Sequence, residues 1–368
     1  SQLGGGSPMI RGFATNRVLL VVDGVRMNNA IYRSGNLQNI LSLDALSIDD
    51  AEIIFGPGSL IYGSDAIGGV MDFHTLQPKF ATPKNQLVSG NALLRYSSAN
   101  KENTAHFNFN VASSKLSFLT SFTYNNFNDL QMGKNGGDKS YLRNEYVERI
   151  NNADVVLANT SPRVQKFSAY FQKNLLTKLA YQPNKNWLLQ YGFHYSTTGN
   201  TPRYDRLIEY ANNLLRFAEW NYGPQTWLMH NLQLQYTKAS TLYNNVRLTV
   251  AYQDNEESRI DRRRNNNNRR TQTEHVQALS INVDVEKILS TKATIFYGVE
   301  FIDNAIGSFA NTQNINTQVQ TANATRYPNN STWNSYAAYA SYKNNVSKKS
   351  TISAGFRYNH VAIKAPFD

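Results

Sequence analysis

The feature that most constrains the fold of this chain is a period-two alternation of apolar and polar residues that begins after about residue 86. In residues 115–124, for example, Leu116, Phe118, Phe122 and Tyr124 share one face, and mostly polar residues lie between them. Such alternation predicts strands with one apolar and one polar face. We count about eleven of these strands, and several exceed the roughly five or six residues usual in a soluble sheet.

The composition indicates which surroundings suit such strands. Mean hydropathy is −0.50 and aromatic residues make up 12% of the chain, yet no run of about 18 apolar residues occurs, so transmembrane helices are excluded. Strands that expose only one face to lipid fit this combination. The chain has no cysteine, which fits an oxidising compartment outside the cytoplasm, although a cytosolic protein can also lack cysteine by chance.

The predicted connections alternate in length along the chain. Short polar turns occur near residues 113, 184, 240, 291 and 348, and longer linkers span 129–163, 199–224, 259–269 and 309–332. Short turns at one rim and long loops at the other are typical of an outer-membrane barrel. Because complete bacterial barrels have an even strand number, about eleven strands suggest half of a 22-stranded barrel with a plugged lumen. The predicted fold class is therefore an all-β membrane barrel, with residues 86–368 forming its first half.

Two loop segments invite more specific interpretations. The apolar residues of 204–220 recur at helical spacing and predict a short amphipathic helix, and 144–160 shows a weaker pattern of this kind. The net charge is +11, and much of it lies in the basic run 262–270. We interpret this run as a solvated loop, with lipopolysaccharide phosphates as its functional alternative. It has no interleaved aromatic residues, so nucleic acid is not an expected partner.

The glycines of residues 52–75 only superficially resemble a phosphate-binding loop. Ser64 stands where a Walker A motif would place its lysine. Residues 17–25 instead predict a strand that enters a turn at Asp23 and Gly24, and two further strands flank the glycines. These glycines, which permit tight turns and close packing, are expected to shape a small domain; they are Gly56, Gly58, Gly63, Gly68 and Gly69.

These segments resemble the plug domain of TonB-dependent outer-membrane transporters of the siderophore, haem and cobalamin type. Arg11 and Gly12 match the family's IRG element, and Asp23 and Gly24 end the strand that the family closes with DGV. The longest match runs from Glu52 to Thr75. It carries Gly56, Tyr62, Gly63, Gly68 and Gly69. The resemblance implies an α+β plug domain over residues 1–80, with its early strands missing.

The resemblance also implies a function, which is active import across the outer membrane of a Gram-negative bacterium. Ligand would bind between the plug apex and the long loops, and the TonB–ExbB–ExbD complex would pull on a Ton box. This chain shows neither a Ton box nor a signal peptide, so it is expected to be a fragment. Expected partners are a metal chelate or similar ligand, outer-membrane lipid and lipopolysaccharide. No cofactor, no resident metal and no enzymatic activity are expected, because the sequence has no Cys cluster, no closely spaced His/Asp set and no HExxH motif.

The resemblance assigns roles to particular residues. Arg11 and Glu52 match charged positions of the lock between plug and barrel wall, with Glu300 as a plausible acidic lumen partner; the alternative is that they are ordinary solvated side chains. The segment after the DGV strand corresponds to the apical plug loop. Its candidate ligand residues are Arg26, Asn28, Asn29, Tyr32 and Arg33, with Tyr32 and Arg33 the first choices, and packing against the wall is the alternative.

Two histidines are further candidates for ligand contact. Alternation turns His106 and His194 toward the lumen, where they could bind haem iron or serve only as hydrated polar groups. Competing functions are a passive porin or adhesion barrel, which would have no folded plug, and an oligosaccharide importer of the same superfamily. An outer-membrane enzyme is a third alternative, but Ser196 beside His194 shows no catalytic spacing.

Overall fold

The computed structural model describes residues 6, 8–14, 17–27, 29–31, 39–55, 62–135, 139 and 142–366. Most of these residues lie in strands. They form one small mixed sheet near the N-terminus, one large sheet after it and three separate two-stranded hairpins. Within the described part of the chain, no helix has both the length and the apolar character needed to cross a membrane.

The first six strands are β1 (Met9–Ile10), β2 (Phe13–Ala14), β3 (Val18–Val22), β4 (Val25–Arg26), β5 (Ile48–Ile54) and β6 (Gly69–Thr75). β1 and β2 form a separate two-stranded hairpin, and the other four form the small sheet in the order β4, β3, β6, β5. β3 has the sequence VLLVV and is buried at every position. It is one of the two internal strands and runs parallel to the other, β6. Short 3₁₀ turns occur at Asn39–Ser42 and Ser64–Ala66.

The predicted turn at Asp23 and Gly24 has the geometry that its sequence favours. Both residues have positive φ, +49° and +79°, and Val22 pairs with Val25 across them. Two positive φ angles define the two-residue hairpin turn that Asp-Gly pairs prefer. The turn places the Asp23 side chain at one end of the small sheet, facing the large one.

The large sheet contains eleven strands on one continuous path, and every neighbouring pair is antiparallel. It confirms the predicted antiparallel barrel sheet. Its strands in chain order are β7 (Leu87–Ser97), β8 (Glu102–Ala112), β9 (Leu116–Phe127), β12 (Tyr170–Asn184), β13 (Trp187–Thr198), β18 (Thr226–Thr237), β19 (Asn245–Arg263), β20 (Asn268–Ile288), β21 (Ala293–Asn314), β23 (Ser331–Asn345) and β24 (Thr351–Lys364).

The two faces of the large sheet differ as the alternation predicts. In β8, Thr104, His106 and Asn110 are buried on the face toward the small sheet, whereas Phe107 and Phe109 are exposed on the other face. The connections sort by length as well. The short-turn rim carries 113–115, 185–186, 238–244, 289–292 and 346–350, and the long-loop rim carries most of the long connections, at 128–169, 199–225 and 315–330.

The predicted loop helices are wrong for a common physical reason. Residues 204–220 form only one helical turn, α1 (Tyr204–Leu207), followed by β15 (Tyr210–Ala211), β16 (Leu214–Leu215) and β17 (Phe217–Tyr222). The residues preceding α1, β14 (Thr201–Pro202), pair with β17. Asn212 and Asn213 both have positive φ and make a two-residue hairpin turn between β15 and β16. Asparagine tolerates this conformation well, so the Asn-Asn pair overrides the helical spacing.

An Asn-Asn turn also replaces the predicted helix in residues 144–160. Asn151 and Asn152 have φ of +47° and +62° and join β10 (Glu145–Ile150) to β11 (Ala153–Ala158) in an antiparallel hairpin. The basic run 262–270 also differs from the predicted long loop. β19 and β20 extend into it and leave only residues 264–267 as the turn. One further short strand, β22 (Gln320–Ala322), pairs with β21.

Candidate functional site

The small sheet packs against the inner face of the large sheet through an apolar contact. Leu20, Val22, Val25, Met27 and Phe73 of the small sheet form one buried cluster with three residues of the large sheet, which are Trp227, Met229 and Ala251. Because burial of apolar surface is the main favourable term in folding, this contact holds the small sheet in a fixed position. The small sheet therefore lies against the inner face of the barrel sheet.

Asp23 is the polar centre of this contact. Its carboxylate lies 2.9 Å from Nζ of Lys178 and 3.4 Å from Nε2 of His194, both on barrel strands. It also accepts hydrogen bonds from the backbone N–H and the hydroxyl of Thr75 at 3.0 Å and 2.6 Å. Its backbone carbonyl accepts from the side-chain amides of Asn231 and Gln233. One turn residue thus binds three strands of the wall, β12, β13 and β18.

The surroundings of Asp23 keep it ionised. Burial alone would raise the pKa of its carboxyl group, but the Lys178 ammonium, with help from His194 and Thr75, holds that pKa well below its ordinary value. The side chains of Asp23 and Lys178 are 4% and 1% exposed. A charge buried this deeply needs a partner, and each of these two residues satisfies the other.

A second ionic cluster joins the small sheet to the wall nearer the short-turn rim. The Glu300 carboxylate of β21 accepts a 2.6 Å hydrogen bond from the Arg357 guanidinium of β24. It also lies 3.9 Å from the guanidinium of Arg26 of β4. Arg26 also lies 3.5 Å from Asp65 and donates to the backbone carbonyl of Tyr62. The predicted ligand residue Arg26 is therefore committed to contacts between the two sheets.

The predicted pairing of Arg11 with the acidic lumen residue Glu300 is wrong. Glu300 is already occupied by Arg357 and Arg26, and both predicted lock residues are exposed. Arg11 lies over the ring of Phe55, 4.8 Å from its centroid, and Glu52 projects from β5. The solvated alternative describes these two side chains better.

A cavity of about 660 Å³ lies between the small sheet and the wall at the short-turn side of these contacts. Its lining is mixed, with charged and amide side chains from both sheets. The charged and titratable residues that line it include Asp23, Arg26, Asp72, His74, Arg247 and Glu300.

The segment after β4 points toward the long-loop rim, as expected for an apical loop. Ile31 packs with Val276 and Ile306 of the wall, and the backbone N–H of Ala30 donates to Asn304. The Asn29 side chain accepts from the Ile31 backbone at 3.1 Å and stabilises its own turn. The other predicted apical residues, Asn28, Tyr32 and Arg33, lie outside the described residues.

His106 and His194 both face inward, but the small sheet covers them. Nδ1 of His106 lies 2.7 Å from the hydroxyl of Thr123, and Nε2 lies 3.0 Å from Asn108. The Thr123 hydroxyl in turn donates to the Asp44 carboxylate of the small domain. His194 lies beside Asp23 and is 5% exposed. The two imidazoles therefore serve the contact between the sheets, and the geometry gives no support to haem ligation.

Three of the glycines predicted to shape the small domain, Gly63, Gly68 and Gly69, lie among the described residues. Gly63 and Gly69 have positive φ, +90° and +138°, as has Gly12 of the IRG element at +82°, and this conformation disfavours other residues. A Cβ on Gly68 would lie 2.3 Å from Cβ of Phe13 and 2.8 Å from the Arg17 carbonyl. Gly63 lies against the Arg357 guanidinium of the wall. Gly56 and Gly58 lie outside the described residues.

Sequence reasoning missed an ion-pair network at the long-loop rim. The side chain of Asp154, at the tip of the β10–β11 hairpin, has no exposed surface. It pairs with Arg262 at 2.7 Å and, within the hairpin, with Arg149 at 3.2 Å. Arg262 also pairs with Glu219 at 2.8 Å. Burial would raise the pKa of Asp154, but its bonds to Arg262 and Asn265 hold that pKa below its ordinary value. The contacts bind the hairpin to the β19–β20 tip, and only the arginine-rich composition could have hinted at them.

A second group at this rim lies on the wall close to Ile31. Arg326 pairs with the buried Glu274 at 3.3 Å, and its guanidinium lies 5.1 Å from the Tyr327 ring centroid. The guanidinium of Arg259 lies 5.7 Å from the ring centroid of Tyr222. Guanidinium groups over aromatic rings offer polar and π surface to a ligand. These residues therefore extend the candidate ligand surface from the apical segment onto the wall.

The strands and this contact define a class, which is an antiparallel barrel sheet with a small folded domain seated on its inner face. Residues 1–70 match the family described as TonB-dependent Receptor Plug Domain. The small domain around β3–β6 is called the plug, and the large sheet is called the wall.

Two curated relatives are similar to part of this chain. The chain is 44% identical over 79 residues to the vitamin B12 transporter BtuB of Vibrio vulnificus (strain CMCP6), which covers 20% of this chain and 12% of that protein. It is 43% identical over 68 residues to heme/hemopexin utilization protein C of Haemophilus influenzae (strain 86-028NP), covering 18% of this chain and 9% of the relative.

Solved structures extend the similarity of fold to the whole chain. The copper transporter OprC superposes with a TM-score of 0.73 at 13% identity, over 98% of this chain and 49% of that one. The chain thus spans about half the length of that structure and a much smaller share of the curated relatives. The named relatives are transporters or utilization proteins, and none of these names describes an enzyme.

Proposed function

We propose that this chain belongs to an active importer of a scarce nutrient across the outer membrane of a Gram-negative bacterium. The candidate substrates are a ferric siderophore, haem or cobalamin. The observation that carries the proposal is the plug seated on the inner face of the wall by the apolar cluster around Leu20 and by the buried Asp23–Lys178 pair. A passive pore has no use for a folded domain fixed in its lumen.

The ligand would bind at the long-loop rim, between the plug apex and the wall. Ile31 fixes the base of the apical segment against Val276 and Ile306. The side chains that follow, Tyr32 and Arg33, are our first candidates for ligand contact, together with Asn28 and Asn29. Arg259, Arg326 and Tyr222 would supply the wall side of the site. Arg26 acts instead in plug seating.

The proposed orientation follows from the two rims. The short-turn rim would face the periplasm and the long-loop rim the exterior, because outer-membrane barrels have short periplasmic turns and longer outer loops. β19, β20 and β21 are 19, 21 and 22 residues long, whereas about 9–11 residues suffice to cross the bilayer. The surplus would project outward and carry the docked β10–β11 hairpin.

The proposed energy source is the TonB–ExbB–ExbD complex, acting on the plug from the periplasmic side. The plug contacts would have to loosen for a ligand to pass, and the cavity of about 660 Å³ beside Arg26 and Asp72 is the space into which such a path would open. Lipid would cover the exposed aromatic face of the wall, and the basic residues of 262–270 that remain exposed would meet lipopolysaccharide phosphates.

Growth promotion tests the proposal. A strain lacking the gene is complemented with the full-length protein and supplied with ferric siderophores, haem or cobalamin under limitation for iron or cobalamin. We expect growth on one ligand class, and we expect it to disappear when TonB is deleted. Growth that persists without TonB would contradict active import and favour a passive pore. A response only to oligosaccharides would reassign the substrate class.

A further inference from the structure

Two adjacent strands of the plug bring four ionisable side chains to one patch. In the antiparallel pairing of β5 with β6, Asp50 lies opposite His74 and Glu52 lies opposite Asp72. Side chains two residues apart in a strand share a face, and directly opposed residues are near neighbours. Three carboxyl groups and one imidazole are therefore held by backbone pairing on a rigid part of the fold.

Three of these groups have the geometry of a metal site. Asp50, Glu52 and His74 each offer one ligand atom, and these atoms all lie within 4.8 Å of one another. Ligands that share one cation at about 2.0–2.2 Å lie about 3–4 Å apart, so small side-chain rotations would close the set. Asp50 and Glu52 are exposed and His74 is half-buried, which leaves a route for an ion from solvent.

Asp72 provides an independent indication that a cation belongs here. It is 8% exposed, and its Oδ1 has no hydrogen-bond partner among the described residues. Its Oδ2 lies 4.0 Å from Nε2 of His74. A buried carboxylate without a hydrogen bond on one oxygen is costly, and a cation beside it would offset that cost.

We propose that Asp50, Glu52 and His74 bind a divalent transition-metal ion, with Asp72 supplying negative charge behind the imidazole. A mixed set of one imidazole and two carboxylates suits Zn²⁺ and its first-row neighbours, whereas Ca²⁺ and Mg²⁺ favour oxygen ligands alone. A carboxylate next to a ligating imidazole commonly orients the ring and strengthens binding. This site lies on the plug and is separate from the proposed ligand surface at the apex.

The proposed metal site lies beside the cavity between plug and wall. Asp72 and His74 both line the cavity of about 660 Å³ between plug and wall. A bound ion would fix β5 to β6 at the edge of that cavity and neutralise part of its acidic charge. The proposal does not depend on the transported ligand, and it stands or falls separately from the import function.

Titration calorimetry with Zn²⁺ tests the site on the purified full-length protein after chelator treatment. We expect one ion per chain, and we expect His74→Ala and the Asp50→Asn/Glu52→Gln double variant each to weaken binding by at least about tenfold. Asp49→Asn is the matched control. Asp49 carries an exposed carboxylate on β5 and has no paired residue on β6 in the strand register. The Asp49→Asn variant should therefore bind Zn²⁺ with the wild-type affinity.

Cobalt spectroscopy provides the second readout. Co²⁺ in place of Zn²⁺ should give visible absorption bands that change in His74→Ala and persist in Asp49→Asn. Zn²⁺ binding unaffected by His74→Ala would overturn the proposal, and so would Ca²⁺ binding as tightly as Zn²⁺, since that would indicate a plain acidic surface. Thermal unfolding of each metal-free variant is compared with the wild type, and a variant that unfolds early is replaced by His74→Gln.

Discussion

The ammonium of Lys178 lies 2.9 Å from the carboxylate of Asp23, and the two side chains are almost completely buried. Lys178 belongs to β12 of the wall, and Asp23 belongs to the first turn of the plug sheet. A single buried ion pair therefore joins the β3–β4 turn of the plug to the wall.

Replacing Lys178 with methionine should destabilise the protein by about 3–5 kcal/mol, because the Asp23 carboxylate would be left buried without its main counter-charge. Thermal unfolding in detergent measures the change. Lys173→Met is the control, since Lys173 lies on the same strand and is exposed; it should remain near the wild-type midpoint. Equal stability of the two variants would show that the pair contributes nothing to plug seating.

Asp23 also predicts a pH dependence. Its folded-state pKa lies below the ordinary value of 3.8, so the unfolded state takes up the proton first as the pH falls. The stability that the carboxylate contributes is therefore complete above about pH 5 and is lost progressively below about pH 4. Unfolding midpoints of wild type and Asp23→Asn should differ by a constant amount near neutral pH and converge in acid. A difference that grows in acid would contradict the assignment.

Gly68→Ala should destabilise the plug by about 1–3 kcal/mol, because the added methyl group would overlap Cβ of Phe13 and the Arg17 carbonyl. The matched variant is Gly133→Ala, where a Cβ would meet nothing within 4 Å. Limited proteolysis of the plug reports the difference. Faster cleavage is expected only in Gly68→Ala, and equal cleavage in both variants would argue against the close packing.

The β10–β11 hairpin should open more easily in Asp154→Asn. A two-stranded hairpin is marginal by itself. This one is bound to the rim by hydrogen bonds that the Asp154 carboxylate accepts from the Arg262 guanidinium and from the Asn265 backbone N–H. Loss of that charge should cost about 1–3 kcal/mol locally, or roughly 5–150-fold faster amide exchange in the hairpin. Glu148→Gln removes an exposed acid of the same hairpin and should leave exchange unchanged. Faster exchange in both variants would contradict the specific role of Asp154.

The sequence predicted the large sheet well because alternation reports directly which face of a strand is buried. The inward positions of His106 and His194 followed from the same rule. Alternation could not reveal what covers the inner face, however. Both histidines are taken up by contacts with the plug, His106 through Thr123 and Asp44, and His194 through Asp23.

The wrong predictions have two physical causes, which are local turn preferences and contacts between residues far apart in the sequence. Asn212–Asn213 and Asn151–Asn152 form hairpin turns, and this local preference defeated a helical spacing of apolar residues. Glu300 was correctly placed toward the plug, but which cation it meets depends on three-dimensional position. Asp50 and Glu52 are more than twenty residues from His74 in sequence, so a motif search expects no metal there, whereas strand pairing brings the three together.

A reversible cross-link between plug and wall tests the central claim most directly. The sequence has no cysteine. The side chains of Asp44 and Thr123 contact each other between plug and wall, so the Asp44→Cys/Thr123→Cys double variant places one disulfide at this contact. Uptake of the ligand found by growth promotion is measured in oxidised and reduced cells, with each single variant as control. We predict that uptake stops when the disulfide forms and returns on reduction. Uptake that continues at full rate with the plug locked to the wall would contradict import through movement of the plug.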